Sequence, residues 1–287
     1  MRRLHPALAF AAAALCGCAG FTEAPPVRDG LELSRMESVT PAVPLAIYVL
    51  SIDLTRPGTE LEVTAGDPSG GRGFRAQTTS EFLVRNRMSA AVNASFFDPF
   101  KGGTPGGDDY YPRSGDPVDV LGLSMHAGRV DSPPNNDPKI NGAVCIRKPA
   151  AVTIVRGQAC PPGTDEALAS GPVLLAGGEP QTHTLSMTAR HPRTAFGLSA
   201  DHRTAWMVVV DGRQLMSPGA TLPEMAEILR RLGASEALNF DGGGSTALVI
   251  ADGEAPRVVN VPIHTGVPGR ERPSANHLGV RTRRGAP

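Results

Sequence analysis

Residues 193–250 open with Arg193-Thr-Ala-Phe-Gly-Leu-Ser199 and, past Ala-Asp-His-Arg, continue Thr204-Ala-Trp-Met-Val-Val-Val-Asp-Gly-Arg213. They then run through Thr221-Leu-Pro-Glu-Met-Ala-Glu-Ile-Leu-Arg-Arg-Leu-Gly233 to Ala237-Leu-Asn-Phe-Asp-Gly-Gly-Gly-Ser-Thr-Ala-Leu-Val-Ile250. Ala195 to Ser199 and Thr204 to Val210 are apolar, rich in β-formers and separated by a polar turn, as the arms of a hairpin are. Thr221 and Glu224 have capping-box spacing, and Pro223 lies in the first turn. Leu222, Met225, Ala226, Leu229 and Leu232 share one helical face, and Gly233 stops the helix. Ala237–Phe240 and Ala247–Ile250 read as strands on either side of the Asp241-Gly-Gly-Gly turn. Strand, strand, helix, strand in this order predicts an α+β domain on a twisted, mostly antiparallel sheet with a few packed helices.

The same reading extends upstream. Leu45–Leu54 and Glu60–Thr64 are strand-like, and Thr78 with Glu81 marks the start of a helix near Ser80 to Arg87. Ala90–Phe97 runs from a strand into a loop, and residues 98–117 are dense in Gly, Pro and Asp. A loop of that length inside a compact domain is often functional. Val118–Met125, Ala151–Val155 and Pro172–Ala176 read as short strands. Residues 130–140 read as a polar, Pro-rich excursion.

Composition supports this picture. The chain of 287 residues has 33 Gly and 27 Pro, too many breaks for a helical bundle. Basic and acidic residues balance at 28 each, which excludes a strong nucleic-acid footprint. Only Lys101, Lys139 and Lys148 are lysines, so Schiff-base chemistry has few candidates, whereas arginine forks for phosphate or carboxylate are plentiful.

The N-terminus reads as an address. Arg2 and Arg3 precede the apolar run Ala7–Leu15, and Leu15-Cys-Gly-Cys18 resembles a lipobox, with cleavage before Cys18 and acylation of its sulfur. Residues 1–17 are therefore expected to be a signal peptide, 18–44 a Pro-bearing tether and 45–284 the globular domain. Removing the leader takes away two arginines and no acids, leaving a formal charge of −2. Ala19 after the lipobox suggests the outer membrane, since the lipoproteins it resembles use Asp there as a retention signal. In an exported chain the remaining Cys145 and Cys160 are expected to pair; two separate buried thiols are the alternative.

Five segments can carry chemistry. Asp241-Gly-Gly-Gly-Ser245 places a carboxylate before three glycines whose N–H groups can form an anion nest; a plain tight turn is the alternative reading. It lacks the Lys of a P-loop and the strand-to-helix context of a nucleophile elbow. Asn93 is a polar residue in an apolar strand and needs partners, in a site or on a nearby loop backbone. Arg193 opens a strand and can present a bidentate fork to phosphate; a surface salt bridge is the alternative. Asp211 ends an apolar strand, as a second carboxylate or as a turn residue. Arg272 and Asn276 accompany Glu271 near the C-terminus. No histidines have zinc spacing. Asp98, Asp108 and Asp109 in the Gly-rich loop can supply oxygens to Ca²⁺, or they are a solvated acidic loop.

Asn93-Ala-Ser-Phe-Phe97, Gly122–Gly128, Arg193-Thr-Ala-Phe-Gly197, Val210-Asp-Gly-Arg213, Asn239–Thr246 and Glu271-Arg272 with Asn276 together, in this order, resemble the phosphodiester glycosidases. Phe240 departs from the aliphatic residue common before the Asp, and loop 98–117 and the Cys145–Cys160 region look individual. The resemblance implies cleavage of a sugar, N-acetylglucosamine-like, from a phosphodiester at its anomeric carbon, on envelope or extracellular glycoconjugates. It implies Asp241 and Asp211 as candidate catalytic carboxylates, and Arg193 and Arg272 as a phosphate clamp. Gly242, Gly243, Gly244 and Ser245 would add donors, and Asn93 and Asn276 would position the sugar or the arginines. No cofactor is certain. The expected partners are a sugar-phosphate or polysaccharide substrate and the membrane, through the lipid alone. Two alternatives remain: a non-catalytic glycan-binding envelope lipoprotein, and a metal-dependent phosphodiesterase that cuts P–O.

Overall fold

The computed structural model describes residues 30–181, 188–253 and 255–282, together with the backbone of Thr22–Glu23. The leader, Cys18 and Ala19 lie outside these residues.

The run Trp206-Met-Val-Val-Val210 is apolar on consecutive residues because both faces of its strand are covered. Met207 and Val209 pack into one core and Trp206, Val208 and Val210 into another. This Thr204–Val210 strand pairs antiparallel with Arg193–Ser199 on one side and Ile47–Asp53 on the other. The sheet continues outward to Leu31–Met36 and Thr22–Glu23 beyond one arm. Beyond the other lie Ala234–Asn239, Val173–Ala176 and Glu179–Pro180, eight strands in all.

The second of those cores lies between this sheet and helix α2, Leu222–Leu232. Thr221 caps α2 with the expected capping box, and Gly233 at φ 94° ends it. The first core is shared with two five-stranded sheets. One has the order Ala255–Val258, Leu248–Asp252, Ala90–Asn93, His277–Arg281, Glu60–Val63. The other has the order Arg129–Ser132, Ser124–His126, Glu166–Ser170, Gly142–Arg147, Ala151–Arg156. Leu50, Val92 and Val144, one from each sheet, meet there with no exposed surface. Helix α1, Thr79–Arg85, covers the outer face of the first five-stranded sheet through Phe82 and Leu83. Its Thr78–Glu81 capping box is present as expected. A three-stranded sheet of Phe74–Arg75, Pro117–Val120 and Phe97–Asp98 completes the fold.

Every strand pairing is antiparallel, and the described residues hold two α-helices. The molecule is thus richer in β-structure than the expected α+β domain. The expected tether also needs correction, because Leu31–Met36 is an internal strand of the large sheet. Its Leu-Glu-Leu alternation turns Leu31, Leu33 and Met36 inward. Arg129–Ser132, within the expected excursion, is likewise a strand. Cys145 and Cys160 are joined as a disulfide. No described helix is long and apolar enough to cross a membrane.

Candidate active site

The Asp241 turn lies at a seam between sheets. Asn93, at the end of its strand, donates Nδ2–H to the Asp241 carbonyl at 2.6 Å. Its Oδ1 accepts from the Thr194 hydroxyl at 2.7 Å and the Ala247 N–H at 3.2 Å. One fully buried amide thereby ties its own five-stranded sheet to the eight-stranded sheet and to the turn between Ala234–Asn239 and Leu248–Asp252. The Asp241 N–H adds a bond to the Ala94 carbonyl at 2.7 Å.

Beyond that seam a cavity of about 510 Å³ opens, lined by Phe96, Phe100, Gly102, Tyr110, His191, Arg193, Arg213, Asp241, Gly242, Gly243, Ile263, Thr265, Gly266 and Arg272. Three guanidiniums and one carboxylate share it, a formal excess of two positive charges. Arg193 is held by the carbonyls of Ala220 and Ala189, each at 3.1 Å. Burial lowers its pKa to about 10, so it stays charged at neutral pH. Arg272 lies 4.2 Å from the Phe100 ring centre and donates to His264 Nδ1 at 3.2 Å and Ser245 Oγ at 3.4 Å. Burial, Arg272 and Arg270 depress His264 to about 4, so its ring is neutral and can accept that bond. His191 is also pushed down, by burial and then by Arg193 and Arg213. Asp241 accepts from the Gly242 N–H at 2.9 Å. Burial pushes its carboxyl up, against the Ser245 hydroxyl, Arg272 and Arg213, which favour the anion.

The glycines serve geometry more than donation. The Gly242 N–H is occupied by the Asp241 carboxylate and the Gly243 N–H by the Pro192 carbonyl at 2.9 Å. An anion nest over Gly242–Gly244 therefore does not form. Gly243 instead adopts φ 61°, and a Cβ there would meet Arg213 at 3.0 Å. At Gly244 a Cβ would collide with the Arg272 guanidinium. The triple glycine lets arginines lie against bare backbone.

Of the expected site residues, Asp241, Arg193, Arg272, Gly242 and Gly243 line the cavity, with Gly244 and Ser245 behind Arg272. Asn93 and Asn276 are fully buried and touch no cavity surface. Asn276 accepts the Ser95 N–H at 2.8 Å and donates to Ser95 Oγ. Asp211 is 2% exposed and holds the Val261 N–H and Asn260 Nδ2 at 3.0 Å. It is a structural clamp beside the cavity, not a second carboxylate in it. The carboxylates of the long loop have partners within the protein: Asp108 pairs with Arg270 at 2.6 Å and Asp109 binds Thr104 N–H and hydroxyl. No described group of three or more His, Cys, Asp or Glu is placed to hold a metal ion.

Arg213 ends the Val210-Asp-Gly-Arg213 motif, but the sequence gives it no role of its own. An Arg after Asp-Gly reads as a turn, and only its φ of 59° folds it back toward Gly243. Phe100 and Tyr110 come from the long loop 98–117, whose length was the available signal.

A family model described as phosphodiester glycosidase matches residues 86–281. Residues of this chain are 32% identical over 92 positions to an uncharacterized prophage-derived protein of Bacillus subtilis strain 168. That alignment spans 31% of this chain and 14% of the Bacillus protein's length. The fold is similar to the catalytic domain of zebrafish N-acetylglucosamine-1-phosphodiester alpha-N-acetylglucosaminidase auto-inhibited by its pro-peptide. That likeness has a TM-score of 0.58 and 17% identity over 93% of this chain and 83% of the zebrafish one. It is similar also to a hypothetical protein from Synechocystis, with a TM-score of 0.59 and 17% identity, covering 89% of this chain and 62% of that one. An exported protein of Burkholderia pseudomallei K96243 gives 0.59 and 17% identity, over 83% and 74%. With its Asp-Gly-Gly-Gly-Ser turn at the floor of an arginine-lined cavity, the chain belongs to the phosphodiester glycosidase family.

Proposed function

We propose that this protein hydrolyses the bond between a sugar's anomeric carbon and a phosphodiester, with an N-acetylglucosamine-like sugar on an envelope or extracellular glycoconjugate. The observation that carries the reading is the convergence of Arg193, Arg213 and Arg272 with Asp241 in one cavity. A phosphate leaves readily, so the site has less need of a general acid than of charge neutralisation as the C–O bond stretches. Fixed guanidiniums in a partly desolvated pocket supply that neutralisation. Asp241 supplies the negative charge that an oxocarbenium-like transition state attracts, as nucleophile, base or electrostatic partner. Phe96, Phe100 and Tyr110 give the sugar an apolar wall. Asn93 and Asn276 act through the backbone, by fixing the Asp241 turn and the chain at Ser95. In this reading the chain is exported, acylated at Cys18 and held at the outer membrane.

The test is ³¹P NMR on a panel of sugar-1-phosphodiesters, N-acetylglucosamine first, with and without chelator. Conversion of diester to monoester with release of free sugar is expected, with solvent ¹⁸O entering the sugar and not the phosphate. Solvent ¹⁸O in the phosphate, or release of sugar-1-phosphate, would instead mean P–O cleavage. A ligand-induced rise in melting temperature without turnover would mean a binding protein.

A further inference from the structure

Six large apolar side chains are exposed among the described residues, and four of them lie on or beside three of the segments that line the cationic cavity. Phe100 lines it directly and is 42% exposed. Val267, 37% exposed, follows the lining residue Gly266. Leu215 and Met216, 94% and 73% exposed, form the tip of the hairpin that begins at Arg213.

That tip is stiff. Gln214 and Ser217 exchange backbone hydrogen bonds at 3.1 Å, and the Arg213 N–H donates to the Pro218 carbonyl at 3.2 Å. The Gln214 side chain reaches the Val261 carbonyl at 2.9 Å, and the Ser217 hydroxyl reaches the Asp211 carbonyl at 2.7 Å. A leucine and a methionine held rigidly in water at the edge of a pocket are costly unless something apolar covers them. Exposed apolar side chains on segments that also line a cavity with excess positive charge are complementary to one kind of surface: a lipid layer presenting anionic headgroups.

We propose that the Leu215–Met216 tip, with Phe100 and Val267, dips into the interfacial layer of a lipid bilayer, so that the cavity takes its phosphodiester from a membrane-borne amphiphile. The nature of the headgroup rests on the glycosidase reading; the lipid contact does not.

Two measurements on the full chain carrying Cys18→Ser, which removes the acylation position, decide the matter. In the first, Leu215→Trp and, separately, Val84→Trp on helix α1 are mixed with vesicles of phosphatidylethanolamine and phosphatidylglycerol, plain or brominated. The native Trp206 is buried and gives the same background in both. A blue shift and bromolipid quenching at position 215 alone are expected. No change at 215, or equal quenching at both positions, would overturn the proposal. So would a concentration-dependent dimer that shifts the 215 emission without vesicles. In the second, Leu215→Ser with Met216→Ser is assayed on a vesicle-borne and a soluble sugar-1-phosphodiester. Turnover on vesicles should fall about tenfold or more while the soluble reaction stays within about twofold. Equal losses on both would count against a lipid contact. If the parent protein cleaves neither substrate, the glycosidase reading fails, and the fluorescence result still decides the membrane contact.

Discussion

The carboxyl of Asp241 lies where burial and two guanidiniums act on it in opposite directions. Burial dominates, so the group gains its proton at a higher pH than an ordinary aspartate. If the anion is the working form, kcat/KM falls on the acid side through a pKa above the usual 3.8. Arg272→Met removes a charge that favours the anion, so it should move that acid limb to still higher pH as well as slow the reaction. An acid limb that stays put in the variant would detach Asp241 from the profile. Asp241→Asn should cost at least about 10²–10³ in turnover with the fold retained, as judged by circular dichroism and melting. Arg213→Met should slow diester cleavage about tenfold or more through lost charge neutralisation; unchanged kinetics would remove Arg213 from the clamp. At this scale the sequence singles out side chains that do share one cavity, Asp241, Arg193 and Arg272. It is ambiguous where a polar residue serves the backbone. Asn93, Asn276 and Asp211 are polar for the sake of hydrogen bonds to main chain, and a site ligand would be written with the same letters.

Helix α2 shows how an element is secured to its neighbours. Glu224 closes the capping box and also takes both arms of Arg190 at 2.8 Å and the Thr40 hydroxyl at 2.7 Å. Burial opposes its charge, but Arg190, the Thr221 N–H and the two threonine hydroxyls hold its pKa at about 2, below the ordinary 4.5. The stabilisation is therefore complete above pH 4.5 and is lost as pH falls toward 2. Glu224→Gln should cost roughly 1–3 kcal/mol at neutral pH in denaturant unfolding. The gap from the parent should close between about pH 4.5 and 2, and a gap independent of pH would refute the assignment. Both helices were legible because a cap and a 3.6-residue stripe are local signals. Strands such as Gly142–Arg147 and Glu166–Ser170 were not. Each is short and almost wholly buried, so alternation is absent and only their partners define them.

At the scale of the whole molecule, the core shared by three sheets does most of the stabilising, and the disulfide adds to it locally. Cys145 and Cys160 close a loop of 15 residues between Gly142–Arg147 and the segment before Glu166–Ser170. Replacing both by Ala should lower the unfolding free energy by about 3 kcal/mol in the chain-entropy model, without loss of the arginine cavity. A calorimetric scan of the double variant with activity measured alongside checks both halves of that statement. The order of the sheets has a further consequence. His277–Arg281 is inserted between Ala90–Asn93 and Glu60–Val63, as an interior strand of its sheet. A chain emerging from the ribosome cannot close that sheet until residues 277–281 have followed the strands they join. The pairings it must then make are distant in sequence, which slows folding. Because Asn93 sits on the strand that waits for this partner, the Asp241 turn it holds is secured only once the C-terminal strand is in place. The turn and the sheet that carries it are completed together.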